Sequence, residues 1–121
     1  MRLSEELHGR TREYASTIIR CYVKLPEERE EVRVLQEKQL LRSATSVAAH
    51  TREASRARSD AEFCSKLEGL LQEADESQLW LELLRDDCGI KGEPLNQLLR
   101  ETDELLAIFT TMVVKLRKSG I

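Results

Sequence analysis

The chain predicts an all-α fold, an antiparallel up-down-up-down four-helix bundle that assembles as a homo-oligomer. Two observations point to the bundle. Apolar residues recur at steps of three and four along four long segments, and no segment shows strand-like alternation. The chain has only two prolines, five glycines and five aromatic residues in 121, while 34% of it is charged, a composition that suits long helices. A chain of this length is read as one domain, residues 1–121.

The first helix is expected over about 4–24, with Leu7, Thr11, Tyr14, Ile18, Cys21, Tyr22 and Leu25 on one stripe. Pro26 stops it, because its ring has no N–H and disfavours helix at Leu25. Glu27, Glu28, Glu30 and Glu31 then restart the chain near the positive end of a second helix dipole. That helix is expected over about 27–56, with Val32, Leu35, Gln36, Gln39, Leu40, Ser43, Val47, His50 and Ala54 facing inward. Ser59 and Glu62 form an S-x-x-E capping box that opens a third helix over about 59–87. Its stripe is Phe63, Leu67, Leu70, Leu71, Ala74, Leu81 and Leu84. Gly89 and Gly92 mark a stop and a turn, and Pro94 suits a first helical position. The fourth helix, about 94–118, carries Leu95, Leu98, Leu99, Thr102, Leu106, Phe109, Val113 and Leu116. Short connections make neighbouring helices antiparallel.

A second apolar set lies off these stripes. Val34, Leu41 and Ala48 repeat every seven residues nearly opposite the inner face of the second helix, with Thr45 beside them. Leu79, Trp80 and Leu83 fall outside the third stripe, and Ile108 and Met112 outside the fourth. Scattered surface hydrophobes are common, but recurrence on three helices favours a patch covered by another subunit.

The net charge of -3 hides an asymmetry. Residues 1–58 hold twelve Lys and Arg against nine Asp and Glu, whereas residues 59–121 hold seven against thirteen. Dedicated nucleic-acid binders are usually basic overall; this chain could be basic only on one face. The densest cationic cluster is Arg42, Arg52, Arg56 and Arg58. It could contact phosphates, or it could complement a helix C-terminus and pair with Glu53, Asp60 or Glu62.

His8 and His50 have no Cys, His or acidic partner at the spacing of a standard metal motif, so no metal or cofactor is expected. His50 reads as a hydrogen-bonded core or interface histidine. Cys21, Cys64 and Cys88 read as free thiols in a reducing cytoplasm. No glycine-rich phosphate loop or nucleophile motif is present, no apolar run reaches membrane-spanning length, and the charged start from Arg2 to Glu6 does not fit a signal peptide. Catalytic residues can be assembled from distant positions, but nothing in these motifs argues for an enzyme; the expectation is a cytoplasmic protein with no membrane partner.

The stretch Gln39–Leu84, "QLLRSATSVAAHTREASRARSDAEFCSKLEGLLQEADESQLWLELL", resembles the four helix bundle proteins. These are related to the proteins encoded in intervening sequences of bacterial 23S rRNA genes and to the accessory variability determinant of diversity-generating retroelements. The resemblance rests on Arg42, Ser43, Ala44, Ser46, Ala49, Glu53, Ala54, Arg56, Ala57, Ser59 and Phe63. It continues through Glu73, Ala74, Glu76, Trp80, Leu81, Leu83 and Leu84, while His50 stands where the pattern has Asn. It implies a bacterial homopentameric bundle without enzymatic activity. It also implies an accessory role toward RNA, DNA or a nucleic-acid enzyme; the alternative is a protein–protein interaction scaffold.

Overall fold

The computed structural model describes residues 2–23 and 30–120, and among these every regular element is helical. Helix α1 is Glu5–Ile18, continued by a π-helical stretch at Ile19–Val23. Helix α2 occupies 30–55: an α-helical turn at Glu30–Arg33, a π-helical stretch at Val34–Leu40, and regular helix over Leu41–Ser55. Helix α3 is Asp60–Asp86 and helix α4 is Glu93–Lys118. The stop at Pro26, the restart at Glu27, Leu25 and the Tyr22 side chain lie outside the described residues.

Local chemistry fixes the helix ends. The Ser4 hydroxyl accepts the Leu7 amide at 3.2 Å, and Glu5 and Glu6 occupy the positive first turn of α1. Ser59 does the same for Glu62 N–H at 3.1 Å. The reciprocal half of that capping box is not made: the Glu62 carboxylate lies 3.5 Å from Arg58, one turn earlier, and the ion pair draws it away from the Ser59 amide. At the far end of α3, Gly89 turns at φ 70°, which lets Ile90 N–H donate back to Leu84 O at 2.9 Å. Gly92, at φ 134°, precedes α4, and Pro94 sits in its first turn.

The helices pack in chain order, α1 on α2, α2 on α3 and α3 on α4. Side-chain bonds tie α1 to α4. Thr102 donates its one hydroxyl proton to Leu98 O at 2.7 Å, so Tyr14 donates to Thr102 across 2.6 Å. Leu40, Val47, Leu67, Leu70, Leu81, Leu84, Leu105 and Phe109 are fully buried between the helices. Small residues bring α2 and α3 together. Ala44 and Ala74 are buried, Ser43 and Ser77 share a 2.8 Å hydrogen bond, and the His50 ring lies over Gly69. Trp80 Nε1 is buried without a hydrogen-bond partner among the described residues.

Candidate nucleic-acid interface

The four arginines of the predicted cluster do not converge. Arg42 bridges to α3, with Glu73 Oε2 at 3.2 Å and Glu76 Oε1 at 2.7 Å. The bond to Glu76 holds its guanidinium pKa above the ordinary value. Arg58, just past the end of α2, pairs with Glu62. Arg52 and Arg56 are exposed, and neither makes an ion pair or hydrogen bond with the described residues.

Facing around α2 and position along it together explain the split. Arg42 is on the flank of α2 that meets α3, whose sequence is acidic there. Arg52 is turned about 80° from Arg42 toward α1, whereas Arg56 lies within about 40° of the facing of Arg42 but at the last turn of α2, beside Arg52 and His8. A groove of ≈ 470 Å³ opens between the two helices, lined by His8, Gly9, Thr11 and Arg12 of α1 and by Ala48, Ala49 and Arg52 of α2. It runs into a second hollow of ≈ 370 Å³ lined by His8, Arg52, Ser55 and Arg56. No carboxylate lines either hollow. Arg12 is exposed and, like Arg52 and Arg56, is unpaired among the described residues. His8 Nε2 and Ser55 Oγ lie 2.6 Å apart and join the two walls. Buried Thr11 and half-buried Ala48 form the floor, while Gly9 and Ala49 are exposed and keep the two rims low; a Cβ at Gly9 meets no atom within 4 Å.

Sequence reasoning did not single out Gly9, Arg12 or His8 for this role. The density of arginines drew attention to α2, and a partner wall on α1 has no mark in α2's own sequence. A signal was available: Arg12 lies off the Leu7–Thr11–Tyr14–Ile18 stripe, one turn from Gly9.

The other cations near this end have partners. Arg2 lies 2.7 Å from Asp60, donates to Ala57 O at 3.3 Å, and covers the Phe63 ring at 5.2 Å. It thereby latches the N-terminus to the α2–α3 corner. Arg10 pairs with Glu101 of α4. His50 sits on the edge of α2 toward α3, with Nδ1 3.1 Å from Glu53, whose carboxylate also takes Lys66 at 3.3 Å. These contacts, His50 first, lower the Glu53 pKa.

Of the residues assigned to a subunit interface, Leu79 is 46% exposed. Val34, Leu41, Thr45 and Leu83 are half-buried, and Ala48 lines the arginine groove. Trp80, Ile108 and Met112 pack partly buried against the core cluster. Among the described residues, no group of three or more His, Cys, Asp or Glu is arranged to hold a metal ion. No described helix is long and apolar enough to cross a membrane.

The observations define an all-α, four-helix protein with a cationic groove between its first two helices. The chain belongs to the 23S rRNA-intervening sequence protein family, which it matches over residues 6–111. It is also similar to a solved structure from Bacteroides thetaiotaomicron VPI-5482, a protein of unknown function from the S23 ribosomal protein family. That similarity has 33% identity and a TM-score of 0.77, covering 88% of this chain and 97% of the other. The comparison with curated proteins finds no match.

Proposed function

We propose that this protein is a non-catalytic accessory protein that binds the phosphate backbone of nucleic acid through the α1–α2 groove. In this reading it is a cytoplasmic, antiparallel four-helix bundle that works as a homo-oligomer, most simply a pentamer. One observation carries the binding role: Arg12, Arg52 and Arg56 stand together unpaired in a chain with more carboxylates than cations. In such a chain, exposed arginines ordinarily find acidic partners, as Arg42, Arg100 and Arg117 do. Three left without partners around one concavity fit a polyanion better than chance exposure. The family's link to 23S rRNA supports the same direction. The contacts of His8 with Ser55, and of the π-helical ends of α1 and α2 with each other, support the antiparallel order.

The test is equilibrium binding of labelled RNA and DNA as a function of salt. Binding that weakens with salt, with a log–log slope that falls by about 0.9 for each of Arg52→Ala and Arg56→Ala, is the expected outcome for duplex probes; for single strands the drop is about 0.7. Negligible binding at low salt by wild type and double variant alike counts against the reading.

A second reading is a protein scaffold whose arginines meet a neighbouring subunit. It is favoured by the exposure of Leu79 and Val114, each 46%, and by the acidic second half of the chain. Under it, Arg52→Ala/Arg56→Ala changes the assembly mass in analytical ultracentrifugation and leaves nucleic-acid binding unaltered.

A further inference from the structure

We infer that the α1–α2 groove takes one unpaired nucleic-acid strand, with its sugar–phosphate backbone seated between the helices and its bases turned outward. The inference rests on the phosphate-binding reading above and adds the form of nucleic acid and its position.

The shape of the groove comes first. The two hollows share His8 and Arg52, so they form one channel along the helix pair rather than two separate pits. Packed helices lie about 8–10 Å apart axis to axis. A duplex, whose major groove alone is about 12 Å wide, can rest only across the rims. There it meets the tips of the arginines and leaves the floor at Thr11 and Ala48 empty. A single backbone can descend between the walls, because Gly9 and Ala49, exposed on the two rims, carry little or no side chain to close the mouth.

The chemistry of the lining then sets what the strand can offer. Arg52 and Arg56 recur at one helical turn, about 5.4 Å, and Arg12 faces them from α1, so cations line both walls. Each guanidinium can fork onto phosphate oxygens. Of the residues that line the channel only His8 is aromatic, and its ring is held against Ser55 rather than free to stack a base; no Asn or Gln lines it to read a base edge. The hydroxyl of Thr11 is spent on the Leu7 and His8 carbonyls, and that of Ser55 is engaged by His8. The channel therefore holds backbone and leaves bases unread. RNA and DNA strands of any sequence bind alike.

The test uses the full chain as purified, with labelled oligo(U), oligo(dT) and a mixed-sequence duplex of equal length as probes. Gly9→Leu raises the α1 rim and narrows the mouth of the channel without changing its charge, and in a helix Leu replaces Gly favourably by propensity; thermal melting checks that the variant is folded. The expected result is equal binding of the two strands and about tenfold weaker binding of the duplex, a difference of about 1.4 kcal/mol. Gly9→Leu weakens strand binding by at least about the same factor. If Gly9→Leu binds strands as wild type does, or the duplex competes as well as a strand, the seated strand is wrong. The phosphate-binding reading survives that outcome, provided that Arg52→Ala/Arg56→Ala still weakens binding. If no probe binds wild type at low salt, both readings fall together.

Discussion

The two flanks of α2 present the same residue types to different surroundings. Toward α3, Arg42 reaches two carboxylates, Lys66 and His50 share Glu53, and Ser43 meets Ser77. Toward α1 and at the last turn of α2, Arg52 and Arg56 reach none, and Ala48 and Ala49 face open space shared with Gly9 and Arg12. Arginine therefore acts as an interhelix clamp on one side of the helix and as an unneutralised charge on the other. The neighbour decides which: α3 supplies Glu73 and Glu76, while α1 supplies Arg12 and His8. Charge density along the sequence cannot separate these cases, because it does not say which helix a flank will meet.

The sharpest break in that comparison comes from making one change on both sides. Ala44 is fully buried in the core between the helices, and Ala48, one turn later, lines the groove. Ala44→Leu forces added methylenes into packed space and is expected to cost about 1–3 kcal/mol of unfolding free energy. Ala48→Leu enters a hollow and should leave stability within about 0.5 kcal/mol of wild type. Urea unfolding of the two variants measures the difference. Equal losses would mean that the groove is as tightly packed as the core.

Helix α1 shows the same contrast between its edges. Arg12 looks into the groove, whereas Tyr14 closes onto Thr102 of α4. Burial pushes the Tyr14 pKa up to about 12. The neutral phenol is thus favoured in the folded chain. Its contribution is fully present below the unfolded pKa near 10 and is lost as pH rises from there toward about 12. Tyr14→Phe should lose about 0.5–1.5 kcal/mol at neutral pH and show a shallower alkaline fall in stability than wild type. Parallel alkaline limbs for the two proteins would show that Tyr14 does not carry the effect.

Much of the helical architecture was legible because it depends on local signals. The stripe from Leu95 to Phe109 needs only its own spacing, and Ser59 and Gly89 mark ends that close through bonds to residues a few positions away. The site was legible only on one wall. Arg52 and Arg56 could be seen in sequence, but Arg12 is forty residues from Arg52 and faces it only because the two helices pair. Trp80, Ile108 and Met112 show the same limit on the apolar side. A stripe drawn at 100° per residue is narrower than the surface that a helix with two neighbours covers, so flanking residues that the period puts outside still pack against the core. The π-helical run at Val34–Leu40 shifts facing further within α2, and no breaker in the sequence announces it.

The smallest expected effect isolates the clamp from the free charge. Arg42 is about half exposed, and so is Glu76, whereas Glu73 is largely covered, so solvent screens much of the pairing. Arg42→Ala is therefore expected to cost only about 0.2–1 kcal/mol, less at high salt, and to leave strand binding unchanged. Arg52→Ala should do the reverse, with stability nearly constant and the salt slope of binding reduced. Chemical unfolding and strand binding, each measured at low and high salt on the same two variants, give four comparisons. If Arg42→Ala weakened binding as much as Arg52→Ala, then the two flanks would be one electrostatic surface, and the distinction between clamp and groove would fail.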